Sequence, residues 1–155
     1  MQLYQEFFLI IQEFEKQKIL YSVVGGIAMA FHNHPRFTRD IDFLISPDEI
    51  KKVKKILENL GYFESAPPWT FKKINLILNR FMKIEAHDYL VIDVLLGNEP
   101  RYQKIIESSL KEEWNQGVVK IATKEDLIWM KQLRNSDQDR VDIRKLSHDE
   151  DRKSN

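Results

Sequence analysis

The chain of 155 residues contains no cysteine. That excludes a disulfide scaffold, a thiol nucleophile and any thiolate metal site, and it fits a cytoplasmic setting. Net charge is also lacking: 24 Lys and Arg balance 24 Asp and Glu. A uniformly basic footprint for nucleic acid or an anionic membrane is therefore excluded, although a local basic groove is not. No run of apolar residues is long enough for a membrane-spanning helix. The start, MQLYQEFFLIIQEFEKQK, has Glu6 ahead of its apolar stretch and Glu13 and Glu15 behind it. It has neither a basic opening nor a small-residue cleavage site, so it does not read as a signal peptide. No internal repeat is present.

What is there is an ordinary globular balance, 43% hydrophobic and 31% charged, in a length suited to one domain. We expect a single domain over residues 1–146 and a charged, frayed tail over 147–155. Leu3, Phe7, Ile10, Ile11 and Phe14 recur at helical spacing, which predicts an amphipathic helix over 3–18. Ile19 to Val24 reads as a buried strand ending at Gly25-Gly26, and Ile27 to His32 as a short helix. Arg39 to Ile45 is a second strand. A helix then starts at Ser46-Pro47 and runs to about Leu60. Ile74 to Leu78 fits helix or strand. Residues 81–86 and 90–96 read as a hairpin about His87-Asp88, 102–110 as helix, and 118–121 as a short strand. Thr123 caps a helix to Leu133, and a last short helix covers 138–146.

The chemistry concentrates in Asp40-Ile41-Asp42. Side chains alternate along a strand, so the two carboxylates share a face and repel each other. Solvent, basic partners or a hard divalent cation must offset that, and carboxylate oxygens suit Mg²⁺ or Mn²⁺. Asp93 interrupts the otherwise apolar Leu90–Leu96, a costly place for an unpaired acid. If its strand lies beside the first, three carboxylates converge, a set able to hold metal for phosphoryl or nucleotidyl transfer. Gly25-Gly26 at a strand-to-helix junction lets backbone approach a phosphate closely. Plainer readings stay open. Asp93 pairs with Arg36 or Arg39 in one of them. In others Lys131 belongs to a solvated helix face, Asp139 and Asp142 pair along their own helix, and His32 satisfies carbonyls at a helix end.

From Val23 to Ile45 the chain reads VVGGIAMAFHNHPRFTRDIDFLI. This resembles the signature of the DNA polymerase beta-like nucleotidyltransferase superfamily, most of all its AbiEii/AbiGii toxin-type group. The matching residues are Gly25, Gly26, Ala28, His32, Arg36, Thr38, Asp40 and Asp42. Asp93 matches the third carboxylate, and Lys131, Asp139, Asp142 and Ile143 match a later segment. Ile27 departs from the serine of the wider superfamily, and Asn33 from the glycine common in the group.

The resemblance spans about residues 19–146. It implies an α/β (α+β) nucleotidyltransferase fold: a small mixed sheet flanked by helices, with the C-terminal helices walling a cleft. Asp40, Asp42 and Asp93 would be the catalytic carboxylates and would hold Mg²⁺ or Mn²⁺. Gly25, Gly26, Arg36, Arg39 and Lys131 would bind the NTP. The acceptor would be an RNA end, a protein hydroxyl or a small molecule. One alternative is a catalytically weak or inactive member acting as an antitoxin-like binding partner. Another is a metal-dependent phosphohydrolase, for which His32-Asn33-His34 finds no matching ligands. The length leaves little for a separate recognition domain. Specificity is expected from the C-terminal helices, from self-association or from a partner, such as one of a toxin–antitoxin operon.

Overall fold

A computed structural model describes residues 1–114 and 117–153. The elements in chain order are α1 (Leu3–Lys16), β1 (Tyr21–Val24), α2 (Gly25–Phe31), β2 (Asp40–Ile45), α3 (Ile50–Asn59), β3 (Phe63–Glu64), β4 (Trp69–Phe71), β5 (Leu76–Glu85), β6 (Asp88–Gly97), α4 (Pro100–Glu107), β7 (Leu110–Trp114), β8 (Gly117–Ile121), α5 (Lys124–Arg134) and α6 (Asp137–Lys153). The strands form one mixed sheet in the order β3-β5-β6-β2-β1-β8-β7, with β4 also on β5. The helices flank it, giving the mixed α/β architecture expected of the chain.

The central pairings position everything that follows. β1 runs antiparallel to β2, and β2 runs parallel to β6. β5 and β6 make a long antiparallel hairpin closed by Ala86-His87, and Ala86 takes the positive φ that so short a turn needs. On one face of β2, Ile41 and Phe43 are fully buried. Phe7 and Phe14 of α1 close on Phe43 at 6.2 and 4.9 Å between ring centres. The polar Asp40 and Asp42 are thereby turned to the opposite face. Removing one such buried ring costs about 3–5 kcal/mol, so the register of β2 is strongly held.

Several elements differ from the sequence expectation. β7 was not anticipated: it lies at the sheet edge, its residues are mostly exposed, and an edge strand needs no apolar alternation. The helix expected over 102–110 stops at Glu107 for the same reason, since the chain turns into β7. α2 begins at Gly25 rather than Ile27, and α3 is preceded by a single 3-10 turn, Pro47–Glu49. Asn33 takes the left-handed turn (φ +68°) that ends α2's excursion. α6 continues to Lys153 instead of ending at 146. Asp149 on that extension meets His34 Nε2 at 2.5 Å and Lys124 Nζ at 3.1 Å, contacts that tie the outer turns down. Of the tail expected to fray, residues 154 and 155 lie outside the described residues.

Candidate active site

Strand register sets up the cleft. Val24 of β1 stands opposite Asp42 of β2, Asp42 opposite Asp93 of β6, and Asp93 opposite Arg80 of β5. Directly opposed residues share a face, so one rung across four strands carries two acids and one base. Asp40, two positions before Asp42, lies on the same face. This rung forms one wall of a cleft of about 500 Å³, whose other wall is α5 with Asp139 of α6.

The acids are not equivalent. Arg80 holds Asp93 with two bonds, Nε to Oδ1 at 2.7 Å and Nη2 to Oδ2 at 3.1 Å. No hydrogen bond or ion pair reaches the carboxylate of Asp42 among the described residues. Burial pushes the Asp42 carboxyl up to about 7, with the charges of Asp93 and Asp40 adding to the rise. Asp40 is raised as well, first by burial and then by Asp93. Gly25 explains how Asp42 fits at all. It takes φ +71°, and a Cβ there would collide with the Asp42 carboxylate. The glycine is thus required by the acid beside it. Gly26 has a different neighbour: a Cβ would come within 3.0 Å of the Thr38 side chain. The Thr38 hydroxyl is in turn 3.2 Å from both the N–H and the carbonyl of Asp40.

The helical wall is cross-linked by charge. Thr123 caps α5 by accepting the N–H of Asp126 at 3.1 Å. Further along α5, Lys131 is buried and donates to Asp142 at 3.0 Å. Asp142 also accepts from Gln138 at 2.8 Å and from Arg36 at 3.4 Å. Arg134 grips Asp139 at 2.7 and 2.6 Å, and the Ser136 hydroxyl adds a bond at 2.7 Å. Burial alone would raise the Asp139 carboxyl, but these bonds pull it down to about 2. Lys131 is therefore not on a solvated face. Asp139 and Asp142 do not pair mainly along their own helix: their bases stand on α5 and in the loop after α2.

Of the residues singled out in the sequence, Gly25, Asp42, Asp93 and Lys131 line the cleft together. Asp40 lies at its margin on the rung's face. Gly26 packs against Thr38, and Arg36 reaches Asp142 with a buried, unpartnered Nε. Arg39 is drawn elsewhere, over the rings of Phe37 and Tyr89 at 5.9 and 5.6 Å. His32 binds the Ala122 carbonyl at 2.8 Å, a structural tie from the end of α2. Asp93 is paired with a base, but with Arg80 rather than Arg36 or Arg39. Arg80, Arg134 and the aromatic Phe71 are cleft residues the sequence reading missed. The detectable signal for Arg80 was its place opposite Asp93 in a two-residue-turn hairpin.

The donor chemistry fits a hard divalent cation at Asp42 and Asp40: Asp42 is an ionisable oxygen donor with no hydrogen bond or ion pair among the described residues, and the more distant charges of Arg134 and Lys131 do not cancel the effect of its burial. Asp93 enters such a site only by giving up Arg80. Among the described residues no group of three or more acids and histidines is already arranged as a ligand set, and no helix is long and apolar enough to cross a membrane.

Residues 1–138 match the family described as an uncharacterised nucleotidyltransferase. No curated protein matches the chain. Among solved structures, the antibiotic-resistance factor ANT(2'')-Ia is similar, with TM-score 0.62 and 15% identity over 94% of this chain and 82% of that one. A Thermotoga maritima protein assigned as a nucleotidyltransferase gives TM-score 0.64 and 11% identity over 94% and 92%. The lincosamide antibiotic adenylyltransferase LnuA gives 0.55 and 18% over 92% and 95%. At these identities the likeness establishes the shared fold.

Proposed function

This chain belongs to the family of uncharacterised nucleotidyltransferases, and from that premise we propose that it moves a nucleoside monophosphate from an NTP to an acceptor hydroxyl and releases pyrophosphate. The observation that carries the reading is the unpartnered Asp42 carboxylate, set in register with Asp93 over the cleft. An acid left uncompensated at that depth is unfavourable for the fold alone, and such groups mark functional sites. The neighbours are consistent with the chemistry. LnuA is a lincosamide adenylyltransferase, and ANT(2'')-Ia has been captured with adenylyl-2''-tobramycin. A cleft of about 500 Å³ suits a small-molecule acceptor better than a folded protein. The kinship with AbiEii/AbiGii-type toxins belongs to this proposal too and rests on the Gly25 to Asp42 motif.

Asp42 and Asp40 would hold Mg²⁺ or Mn²⁺, which when bound neutralises phosphate charge and polarises the α-phosphoryl group. The acceptor oxygen attacks the α-phosphorus while its proton passes to Asp93. The bond from that phosphorus to the bridging oxygen breaks, and the electron pair leaves on pyrophosphate. Arg80, bonded to both oxygens of Asp93, keeps that carboxylate aimed at the rung. Lys131 and Arg134, fixed by Asp142 and Asp139, set positive charge opposite Asp42 where triphosphate oxygens would lie. Gly25 leaves open backbone beside them, and Arg36 acts through Asp142.

The test is incubation with each α-labelled NTP, Mg²⁺ and a panel of hydroxylated small molecules, RNA and protein. Label transfer that Asp42→Asn removes is the expected result. Tight, metal-dependent NTP binding with no transfer to any acceptor class would instead assign the chain to the inactive, binding-only alternative.

A further inference from the structure

Beyond Asp93 the cleft changes character. Moving outward along the sheet order, β6 contributes Leu95, β5 contributes Leu78 and Leu76, and β4 contributes Phe71. Trp69 pairs with Leu78 and Phe71 with Leu76, so both rings lie on the face of the acid rung. They meet edge to face at 6.5 Å, and Trp69 is 64% exposed. An exposed tryptophan beside a partly exposed phenylalanine, continuous with an apolar floor, is a stacking lip that none of the described residues covers. Charge narrows what it can take. Apart from Asp42, each acid lining the cleft already carries an arginine: Asp93 has Arg80 and Asp139 has Arg134. Lys73, at the same lip, has no ion-pair partner among the described residues. A polycation finds no acidic wall here.

We infer that the Trp69–Phe71 lip and the floor behind it form the acceptor subsite, and that the acceptor is a non-cationic hydroxyl compound with a flat apolar body. The assignment to acceptor rather than nucleobase rests on the proposed function. If Asp93 takes the hydroxyl proton, the molecule bearing that hydroxyl extends over β5 and β4, because Asp42 and the helical cations occupy the other side of the rung. Stacking of a ring on an exposed aromatic is strong enough to dominate the affinity of a small ligand.

The experiment is calorimetric titration of 4-nitrophenyl β-D-glucoside, neutral and flat, and of neomycin, a hydroxylated polycation, into the full chain. The glucoside is expected to bind the wild type at least tenfold more tightly than neomycin. Trp69→Ala should weaken it about tenfold, with Trp69→Phe recovering most of the loss, while ATP·Mg²⁺ affinity changes less than twofold. Preference for neomycin, or no glucoside binding to the wild type, overturns the proposal. So does a loss of ATP affinity in Trp69→Ala, which would make the lip a nucleobase site. Label transfer is read separately, with each NTP and the acceptor panel above: intact, Trp69-dependent glucoside binding with no transfer to any acceptor class sinks the transferase reading and leaves the binding site standing.

Discussion

On the sheet side of the cleft, Asp42 has neither a hydrogen bond nor an ion-pair partner among the described residues, and its carboxyl is pushed up to about 7. On the helix side, Asp142 accepts from three side chains, and Asp139 from an arginine and a serine that hold its carboxyl down at about 2. Both regions hold acids away from bulk water, and the fold treats them oppositely. Where partners are complete, the acid ties α5 to α6 and fixes the direction of Lys131 and Arg134. Where they are missing, the fold tolerates an electrostatic penalty that a proton or a bound cation relieves. The contrast separates scaffold from site more sharply than burial does.

The largest expected effect breaks the scaffold side. Asp142→Ala leaves Lys131 buried without its counter-charge, and loss of one partner of a buried pair costs about 3–5 kcal/mol. Urea unfolding should show it; a loss below about 1 kcal/mol would make the pair no more than a surface bridge. On the site side, Asp42→Asn should lower transfer by about a hundred- to thousandfold yet raise the melting temperature at pH 8, since it removes an unfavourable charge. The gain in melting temperature on adding Mg²⁺ should vanish with it.

The pH dependence follows the same division. The native state keeps the Asp42 proton to higher pH than the unfolded chain does. Stability from that group therefore falls as pH rises from the usual carboxylate range to about 7. Asp139 is depressed, so its stabilisation is present above the usual range and disappears as pH drops towards about 2. A melting-temperature profile should keep the acid limb and lose the limb below neutrality in Asp42→Asn. A smaller effect is expected for Gly25→Ala, about 1–2 kcal/mol from the left-handed φ plus whatever displacement of Asp42 follows, read as lost transfer exceeding the lost stability. Smallest of all is Asp149→Ala: its partly exposed pairs with His34 and Lys124 should be worth at most about 1 kcal/mol.

The sheet side was the more legible in the amino-acid sequence. Alternation alone puts Asp40 and Asp42 on one face, and an acid among apolar neighbours draws attention to Asp93. The helix side was misread because the i, i+3 spacing of Asp139 and Asp142 also fits ordinary intrahelical pairing, and periodicity cannot say which neighbouring helix supplies the base. Arg80 escaped for a related reason. Its partner is set by hairpin register, and the stretch leading into β5 has no clear period, as the 3-10 turn at Lys72–Ile74 shows. β7 escaped because an exposed edge strand carries no burial signal.

The parallel pairing of β2 with β6 has a kinetic consequence. Asp42 and Asp93 are about fifty positions apart in the chain and meet only when those strands dock in register. A slip of one residue would send one of them through the sheet to the other face. Non-local pairings of this kind are slow steps in folding. Recovery of the acid rung therefore times the closing of the sheet, and in a refolding experiment helical signal should return before transfer activity does.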